Sequence, residues 1–155
     1  MTLASPHNDQ LIAEITHFFD KDSSTFSYLV KDPSSSSCAV IDSVADLDYP
    51  SGRIHHESAD VIIEHIRKHE LTLEWLIETH VHADHISAAP YIQKAVGGKI
   101  AVGKHIDIVQ GVFAKVFNVA GSLKQDGSQF DHLFADDEEY KIGNLTAKAI
   151  HTPGH

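Results

Sequence analysis

Apolar and polar positions in the first third of the chain follow patterns that are typical of β-strands. Segments 11–19 and 25–32 are rich in β-branched and aromatic residues and are predicted to pair as strands. Segment 38–44 is nearly all apolar, which favours a strand covered on both faces. Cys38 begins this segment and is expected to be a small core residue, because nothing adjacent would activate its thiol.

Farther along the chain, the apolar spacing changes to a helical period. Residues such as Ile62, Ile63 and Ile66 recur at that spacing, and short apolar runs lie between the helical segments. The predicted helices are 57–70, 87–98 and 105–117, and the predicted strands between them are 71–80 and 99–103. The third helix is expected to turn one apolar stripe into the core, formed by Ile106, Val109, Phe113, Val116 and Phe117.

The last third of the chain begins with a long polar segment, 119–139, which is predicted to be a functional loop. Its acidic end, 136–139, is expected to face solvent. Gly143 and Asn144 separate two strand-like segments and predict a tight hairpin whose second strand is 145–151. Strands first, then helices alternating with strands, then a hairpin predict a single α/β domain, 1–155, with a mixed sheet and flanking helices.

Composition narrows the classes of function. The chain has 155 residues, of which 42% are hydrophobic, and this is enough for one domain with a core. Its formal net charge is −10 and no basic stripe is visible, so we expect no nucleic-acid partner. No apolar run approaches membrane-spanning length, and no membrane partner is expected. The single cysteine excludes an internal disulfide and fits a reducing cytoplasm.

The segment ETHVHADHIS, residues 78–87, gathers metal-binding side chains. If the predicted strand stays extended through its end, His80 and His82 project to the same side, and Asp84 and His85 lie at the turn into the next helix. Imidazole and carboxylate ligands suit zinc or iron. A histidine-rich loop that binds nothing is the alternative, and it is disfavoured because converging ligands need a compensating cation.

The sequence HTPGH at the end of the chain indicates a distant ligand. Strand 145–151 leads to Pro153 and Gly154, a turn dipeptide. The turn would place His155 beside the end of this strand. Alone this signal is weak, but together with the histidine cluster it makes His155 a credible distant ligand.

These motifs resemble the metallo-β-lactamase superfamily, in which THVHADH is followed at a distance by HTPGH. Longer stretches, including DYPSGR, SAAPYI and DGSQFDHLF, are similar to the bacterial persulfide dioxygenase branch, which itself resembles glyoxalase II. The resemblance implies an αββα sandwich of which this chain is the N-terminal half. The chain is therefore expected to be a fragment of a longer domain.

The resemblance also implies a metal and its ligands. Persulfide dioxygenases hold one Fe(II) with two histidines and an aspartate, and His80 and His155 match the two histidines. The aspartate of the family follows HTPGH and is not part of this sequence. His82, Asp84 and His85 match metal ligands of the two-metal hydrolases. In the dioxygenases, Asp84 and His85 would orient the ligands or bind nearby water, which makes them candidate catalytic residues.

The sequence and its resemblance lead to three hypotheses about function. The first is oxidation of glutathione persulfide to sulfite and glutathione. The second is hydrolysis of a thioester with one or two zinc ions, as in glyoxalase II, and the third is an inactive metal-binding fragment. The enzymatic alternatives imply a small-molecule thiol or persulfide substrate, and the resemblance allows a homodimer.

Two charged residues outside the motifs have two interpretations each. Asp42, after the apolar strand, would either support the metal site or cap backbone amides. Arg53 would either meet an anionic substrate or form an exposed salt bridge. Trp75, in the strand before the histidine cluster, is expected in the core.

Overall fold

The computed structural model describes residues 12–82, 85–118 and 124–153. The predictions for Asp84 and His155 lie outside these residues. The strands are β1 (Glu14–Asp20), β2 (Thr25–Lys31), β3 (Ser37–Ile41), β4 (Val44–Asp48), β5 (Arg53–His55), β6 (Thr72–Ile77), β7 (Ile86–Ser87), β8 (Lys99–Gly103), β9 (His132–Phe134), β10 (Glu139–Ile142) and β11 (Leu145–Lys148). The helices are α1 (Glu57–Lys68), α2 (Ala89–Val96) and α3 (Ile106–Val116).

The main sheet of the described residues has the strand order β1-β2-β3-β6-β8-β9. The pairs β1–β2 and β2–β3 are antiparallel, whereas β3, β6, β8 and β9 run parallel to one another. Two smaller sheets are formed by β5-β4-β7 and by the hairpin β10-β11. The predicted α/β fold with a mixed sheet and flanking helices is thus confirmed. Because the parallel strands share one direction, the loops after β3, β6, β8 and β9 meet at the same edge.

The apolar segment 38–44 is not one strand, and that prediction was wrong. β3 ends at Ile41 and β4 begins at Val44 in a different sheet. Asp42 lies between them with a φ of 51°, a left-handed conformation that ends the extended backbone. Its N–H donates to the carbonyl of Ile77 at 2.9 Å, which holds the reversal beside the end of β6. The break therefore places the Asp42 carboxylate at the edge where the parallel strands end.

Apolar side chains pack against both faces of the main sheet. Helices α1 and α2 cover one face, and the β10-β11 hairpin covers part of the other. Cys38 is fully buried, as predicted, and burial is the main cause that raises the pKa of its thiol to about 12. The first cluster includes Leu29, Val40, Ile62, Ile66, Leu76 and Ile92, and the second includes Ala39, Ile77, Ala101, Phe134, Ile142 and Leu145.

The apolar stripe of α3 does not face the core, and this prediction was wrong except at Ile106. The buried residues of the helix are Ile106, Gln110 and Ala114. Phe113 is 38% exposed and Phe117 is 63% exposed. A helical period shows that a helix has an apolar face but does not show which face meets the sheet. Here the inward face carries the small Ala114 and Gln110, and the side-chain oxygen of Gln110 accepts from the Gly127 N–H in the segment before β9.

Several short strands were missed, and several predicted elements are shorter than expected. Strands β4, β5 and β7 were not predicted, and β9 lies inside the segment that was predicted to be a loop. Strands this short carry no readable period. The predicted strands 71–80 and 145–151 end at Ile77 and Lys148, and the predicted helix 87–98 spans Ala89–Val96. None of the helices in the described residues is long and apolar enough to cross a membrane.

The predicted hairpin at Gly143 and Asn144 is confirmed, and a buried carboxylate fixes it to the sheet. Asp32 has no exposed surface and accepts from the Asn144 N–H at 2.8 Å and from the Ser34 N–H at 2.9 Å. Burial would raise the pKa of this carboxyl, but the hydrogen bonds outweigh it and hold the pKa well below its usual range. Gly143 has a φ of 57°, and a Cβ there would lie 2.5 Å from an Asp32 oxygen. The turn thus requires glycine.

Candidate metal centre

Three imidazole rings meet in the loop that follows β6. Strand β6 ends at Ile77, so His80 and His82 do not lie on an extended strand as predicted. Their ring centroids are nevertheless 4.2 Å apart, and the rings of His82 and His85 are 4.0 Å apart. The structure thus brings together three of the predicted residues at the carboxyl edge of the parallel strands. Asp84 and His155 lie outside the described residues.

His82 is held between two carboxylates. Its Nε2 lies 2.7 Å from Glu78 Oε2 and 3.2 Å from Asp42 Oδ1. The side chains of His82 and Glu78 are 5% and 6% exposed, so the ion pair is shielded from water. Burial would lower the pKa of His82, but the hydrogen bonds to Asp42 and Glu78 outweigh it and raise the pKa to about 9. The positive imidazolium thus compensates two acidic groups in the metal-free protein.

Asp42 combines the two roles considered for it. Its carboxylate accepts from the Thr79 N–H at 2.8 Å and from the Thr79 hydroxyl at 2.7 Å, and it also faces His82. Burial would raise the pKa of Asp42, whereas the hydrogen bonds from His82 and Thr79 lower it, and the net direction is downward. Asp42 therefore caps a backbone amide and supports the histidine cluster at the same time.

The hydrogen bonds of Thr79 determine the tautomer of His80. The Thr79 hydroxyl gives its only proton to Asp42, so the contact of 2.9 Å between Thr79 Oγ1 and His80 Nδ1 requires the imidazole to donate. His80 then carries its proton on Nδ1. Its Nε2 is left as the nitrogen whose lone pair can bind a metal.

The donor atoms fit a divalent cation. Asp42, His80 and His82 each offer a ligand atom, and these atoms lie within 4.8 Å of one another. The Nδ1 of His82 is buried and has no hydrogen-bond partner within the described part of the chain. A buried ring nitrogen of this kind costs stability unless bound water accepts its proton or, once the ring is deprotonated, a cation takes its lone pair. Imidazole ligands oriented by carboxylates are typical of zinc and iron sites.

Glu78 is a site residue that sequence reasoning missed. Its Oε1 accepts from the Ser87 hydroxyl at 2.5 Å, and Ser87 accepts from the Ala89 N–H at the start of α2. Glu78 thus connects His82 to the following helix. The sequence feature that could have identified it is its position, directly after a buried strand and four positions before a histidine of the motif. A buried glutamate needs a partner, and His82 supplies it.

The other predicted residues have simpler surroundings. Arg53 is exposed on β5, and both of its roles stay predictions. Trp75 is partly buried against the second core cluster, and its Nε1–H donates to the Lys141 carbonyl at 2.8 Å. The acidic segment 136–139 is not merely solvated, because Glu138 lies 2.7 Å from His132 Nε2.

A mixed sheet whose parallel strands end in carboxylate-supported imidazoles is the arrangement of a metal-dependent α/β protein. Sequence comparison identifies the family within this class. The model of the metallo-beta-lactamase superfamily matches residues 20–155, and the chain belongs to this superfamily.

Relatives and solved structures agree with this assignment. The chain is 50% identical over 138 residues to a probable metallo-hydrolase of Burkholderia pseudomallei, with 89% of this chain and 47% of the relative covered. It is 40% identical to Glyoxylase B2 of Dictyostelium discoideum, with 92% of this chain and 49% of that relative covered. The chain thus spans about half the length of these curated relatives. The crystal structure of ETHE1 from Myxococcus xanthus superposes with a TM-score of 0.62 at 22% identity, covering 86% of this chain and 45% of that one, which shows the shared fold.

Proposed function

We propose that this chain belongs to a metal-dependent enzyme that oxidises glutathione persulfide to sulfite and glutathione. The observation that carries the metal-dependent class is the histidine cluster, in which Glu78, Asp42 and Thr79 orient the rings of His80 and His82. The persulfide substrate is supported by the resemblance of DYPSGR, SAAPYI and DGSQFDHLF to the dioxygenase branch.

The proposed reaction balances without a further oxidant or reductant. Glutathione persulfide, dioxygen and water give glutathione and sulfurous acid, which ionises to sulfite. The two sulfur atoms together lose four electrons, and dioxygen gains four. The bond between the two sulfur atoms breaks, and the inner sulfur leaves as the thiol of glutathione.

The residues of this chain contribute binding and orientation. A bound ferrous ion would supply electrons and open coordination positions, whereas bound zinc would supply a Lewis acid. His80 would offer Nε2 as its ligand atom for either metal, since its Nδ1–H donates to the Thr79 hydroxyl. Glu78 and Asp42 keep His82 beside it, and their negative charge favours a cation at this position. His85, whose ring packs against His82, would bind nearby water or a second metal.

Hydrolysis of a glutathione thioester is the second candidate. It is favoured by the names of two relatives, a probable metallo-hydrolase and Glyoxylase B2. In this reaction water adds to the thioester carbonyl, and the carbon–sulfur bond breaks to give a carboxylate and glutathione. His80, His82, Asp84, His85 and His155 would then share one or two zinc ions. The third alternative, a metal-binding fragment without turnover, expects neither reaction.

Two parallel assays separate these functions. The protein expressed from its complete reading frame should be loaded with iron or with zinc and supplied with glutathione persulfide in an oxygen electrode, and with a glutathione thioester in a hydrolysis assay. Oxygen uptake that needs iron supports the persulfide dioxygenase. Thioester cleavage without oxygen uptake contradicts it and supports the hydrolase, and activity in neither assay supports the inactive alternative.

Variants connect the activity to the cluster. His80→Ala should abolish whichever reaction is observed, since the proposed ligand is lost. His69→Ala is the matched control, because His69 is exposed at the end of α1 and pairs only with another imidazole, His65, among the contacts described. Equal activity in the two variants would contradict the proposed site. The cellular setting that we propose is the cytoplasm, and the partner is the small-molecule substrate, with a homodimer as a further expectation.

A further inference from the structure

A second group of metal-binding side chains lies at the same edge of the sheet. His105, Asp136 and His151 each offer a ligand atom, and these atoms lie within 4.8 Å of one another. The ring centroids of His105 and His151 are 4.4 Å apart. Both carboxylate oxygens of Asp136 lie 3.1 Å from His105 Nε2. This triad shares no donor with the cluster around His80.

Backbone hydrogen bonds hold the three segments of the triad together. His105 lies between β8 and α3, and the neighbouring Lys104 N–H donates to the Phe134 carbonyl at 2.9 Å. Asp137, next to Asp136, donates to the Ala149 carbonyl at 2.8 Å. Each of the three candidate metal ligands thus lies within two residues of a backbone hydrogen bond between neighbouring segments. Such a framework reduces the ordering that a ligand would have to impose.

The charges of the triad also suit a cation. The pKa of Asp136 is lowered, chiefly because His105 donates to its carboxylate, so the carboxylate is ionised at neutral pH. The ammonium of Lys104 acts on Asp136 in the same direction and is the charge that opposes a metal here. The side chains of His105 and Asp136 are 36% and 44% exposed, which leaves room for an ion to enter with its water.

We propose that His105, Asp136 and His151 form a second divalent-metal site, separate from the cluster around His80. Two imidazoles and a carboxylate, with water in a fourth position, match the ligand preference of zinc. His151 precedes His155 by four positions in HTPGH. A metal at the triad would therefore fix the segment that leads to the proposed distant ligand of the first site.

Metal titration of variants tests this proposal. The metal-free chain is titrated with Co²⁺, whose visible absorption reports tetrahedral nitrogen and oxygen ligands, and the stoichiometry is repeated with Zn²⁺. His151→Ala and Asp136→Asn should each lower the affinity for one equivalent of metal by about 10-fold or more, because a ligand is lost. His69→Ala should leave that equivalent unchanged, since its imidazole pair has no carboxylate grouped with it in the described residues.

A measurement on the unaltered chain makes the test independent of the variants. Zinc should shift the ring ¹⁵N resonances of His105 and His151, and His80→Ala should not remove these shifts. The metal-free variants should unfold at the same temperature as the parent, since both substituted residues are exposed. Unchanged metal stoichiometry in His151→Ala and Asp136→Asn, or zinc shifts confined to other histidines, would overturn the proposal.

Discussion

Glu78 and His82, itself a predicted metal ligand, form a buried ion pair 2.7 Å long. The pair orients the imidazole, because the carboxylates engage Nε2 and Nδ1 is the ring nitrogen without a hydrogen-bond partner among the described residues. Carboxylates that orient metal-binding imidazoles strengthen metal sites in many proteins. Glu78 is therefore a positioning residue, and its effect is measurable.

Glu78→Gln should weaken metal binding or activity by about 10–100-fold, because it removes the negative charge behind His82 but keeps the size of the side chain. The measurement is a competition titration against a chelator. Glu57→Gln is the matched control, since Glu57 faces His55 at 3.9 Å in an exposed pair and should leave the affinity unchanged. Equal affinities for the two variants would remove Glu78 from the site.

The side chain of Thr79 should matter through its hydroxyl group. Thr79→Val keeps the shape of the side chain and the backbone hydrogen bond to Asp42 but removes the hydroxyl's contacts with Asp42 and His80, so it should free the His80 tautomer and lower metal affinity. Thr79→Ser should restore most of the affinity. Ring ¹⁵N shifts of His80 report the tautomer directly, and an unchanged Nδ1–H tautomer in Thr79→Val would contradict this role.

The stability of the fold should fall in acid because of Asp32. The folded state lowers the pKa of this carboxyl below its unfolded value of about 3.9, so its contribution is present above that pH and is lost as the pH falls below it. Asp32→Asn should therefore be destabilised at pH 7, and the difference from the parent should shrink below about pH 4. Urea unfolding of the metal-free protein across this range provides the measurement.

Asp22→Asn serves as the control for Asp32, since Asp22 is exposed in the turn between β1 and β2. It should unfold like the parent at both ends of the pH range. A difference between Asp32→Asn and the parent that stays constant with pH would mean that the Asp32 charge contributes no stability to the hairpin.

The first core cluster should depend strongly on α1. Ile62 is 1% exposed, and Ile62→Ala should lower the free energy of unfolding by about 2–5 kcal/mol, since it leaves a cavity between the helix and the sheet. The adjacent Val61 is 54% exposed, and Val61→Ala should change the free energy of unfolding by only about 0.5 kcal/mol or less. Similar losses in the two variants would contradict the observed orientation of α1.

The sequence predicted the elements with strong periodicity and the residues with strong metal chemistry. Helix α1, strand β8 and the hairpin at Gly143 follow from local patterns, and the histidine motif indicated the site. The orientation of α3 could not be predicted, because Phe113 and Phe117 show an apolar face without showing what covers it. Tertiary contacts decide that question.

The supporting carboxylates were harder to predict than the histidines. Asp42 reaches the site because a left-handed backbone conformation ends β3 there, and no pattern in 38–44 distinguishes this break from a continuous strand. Glu78 becomes a partner of His82 because the chain leaves β6 before the motif and folds back. Both contacts depend on loop geometry, which residue spacing does not encode.

Both proposed enzymatic activities need His80 to bind a divalent metal through Nε2 while its Nδ1–H donates to the Thr79 hydroxyl. The most direct test is a crystal structure of the metal-loaded protein with anomalous scattering at the metal edge. We expect the anomalous peak at bonding distance from His80 Nε2, with Glu78 still on His82 Nε2. A metal bound through His80 Nδ1, or a peak away from this cluster, would contradict the account.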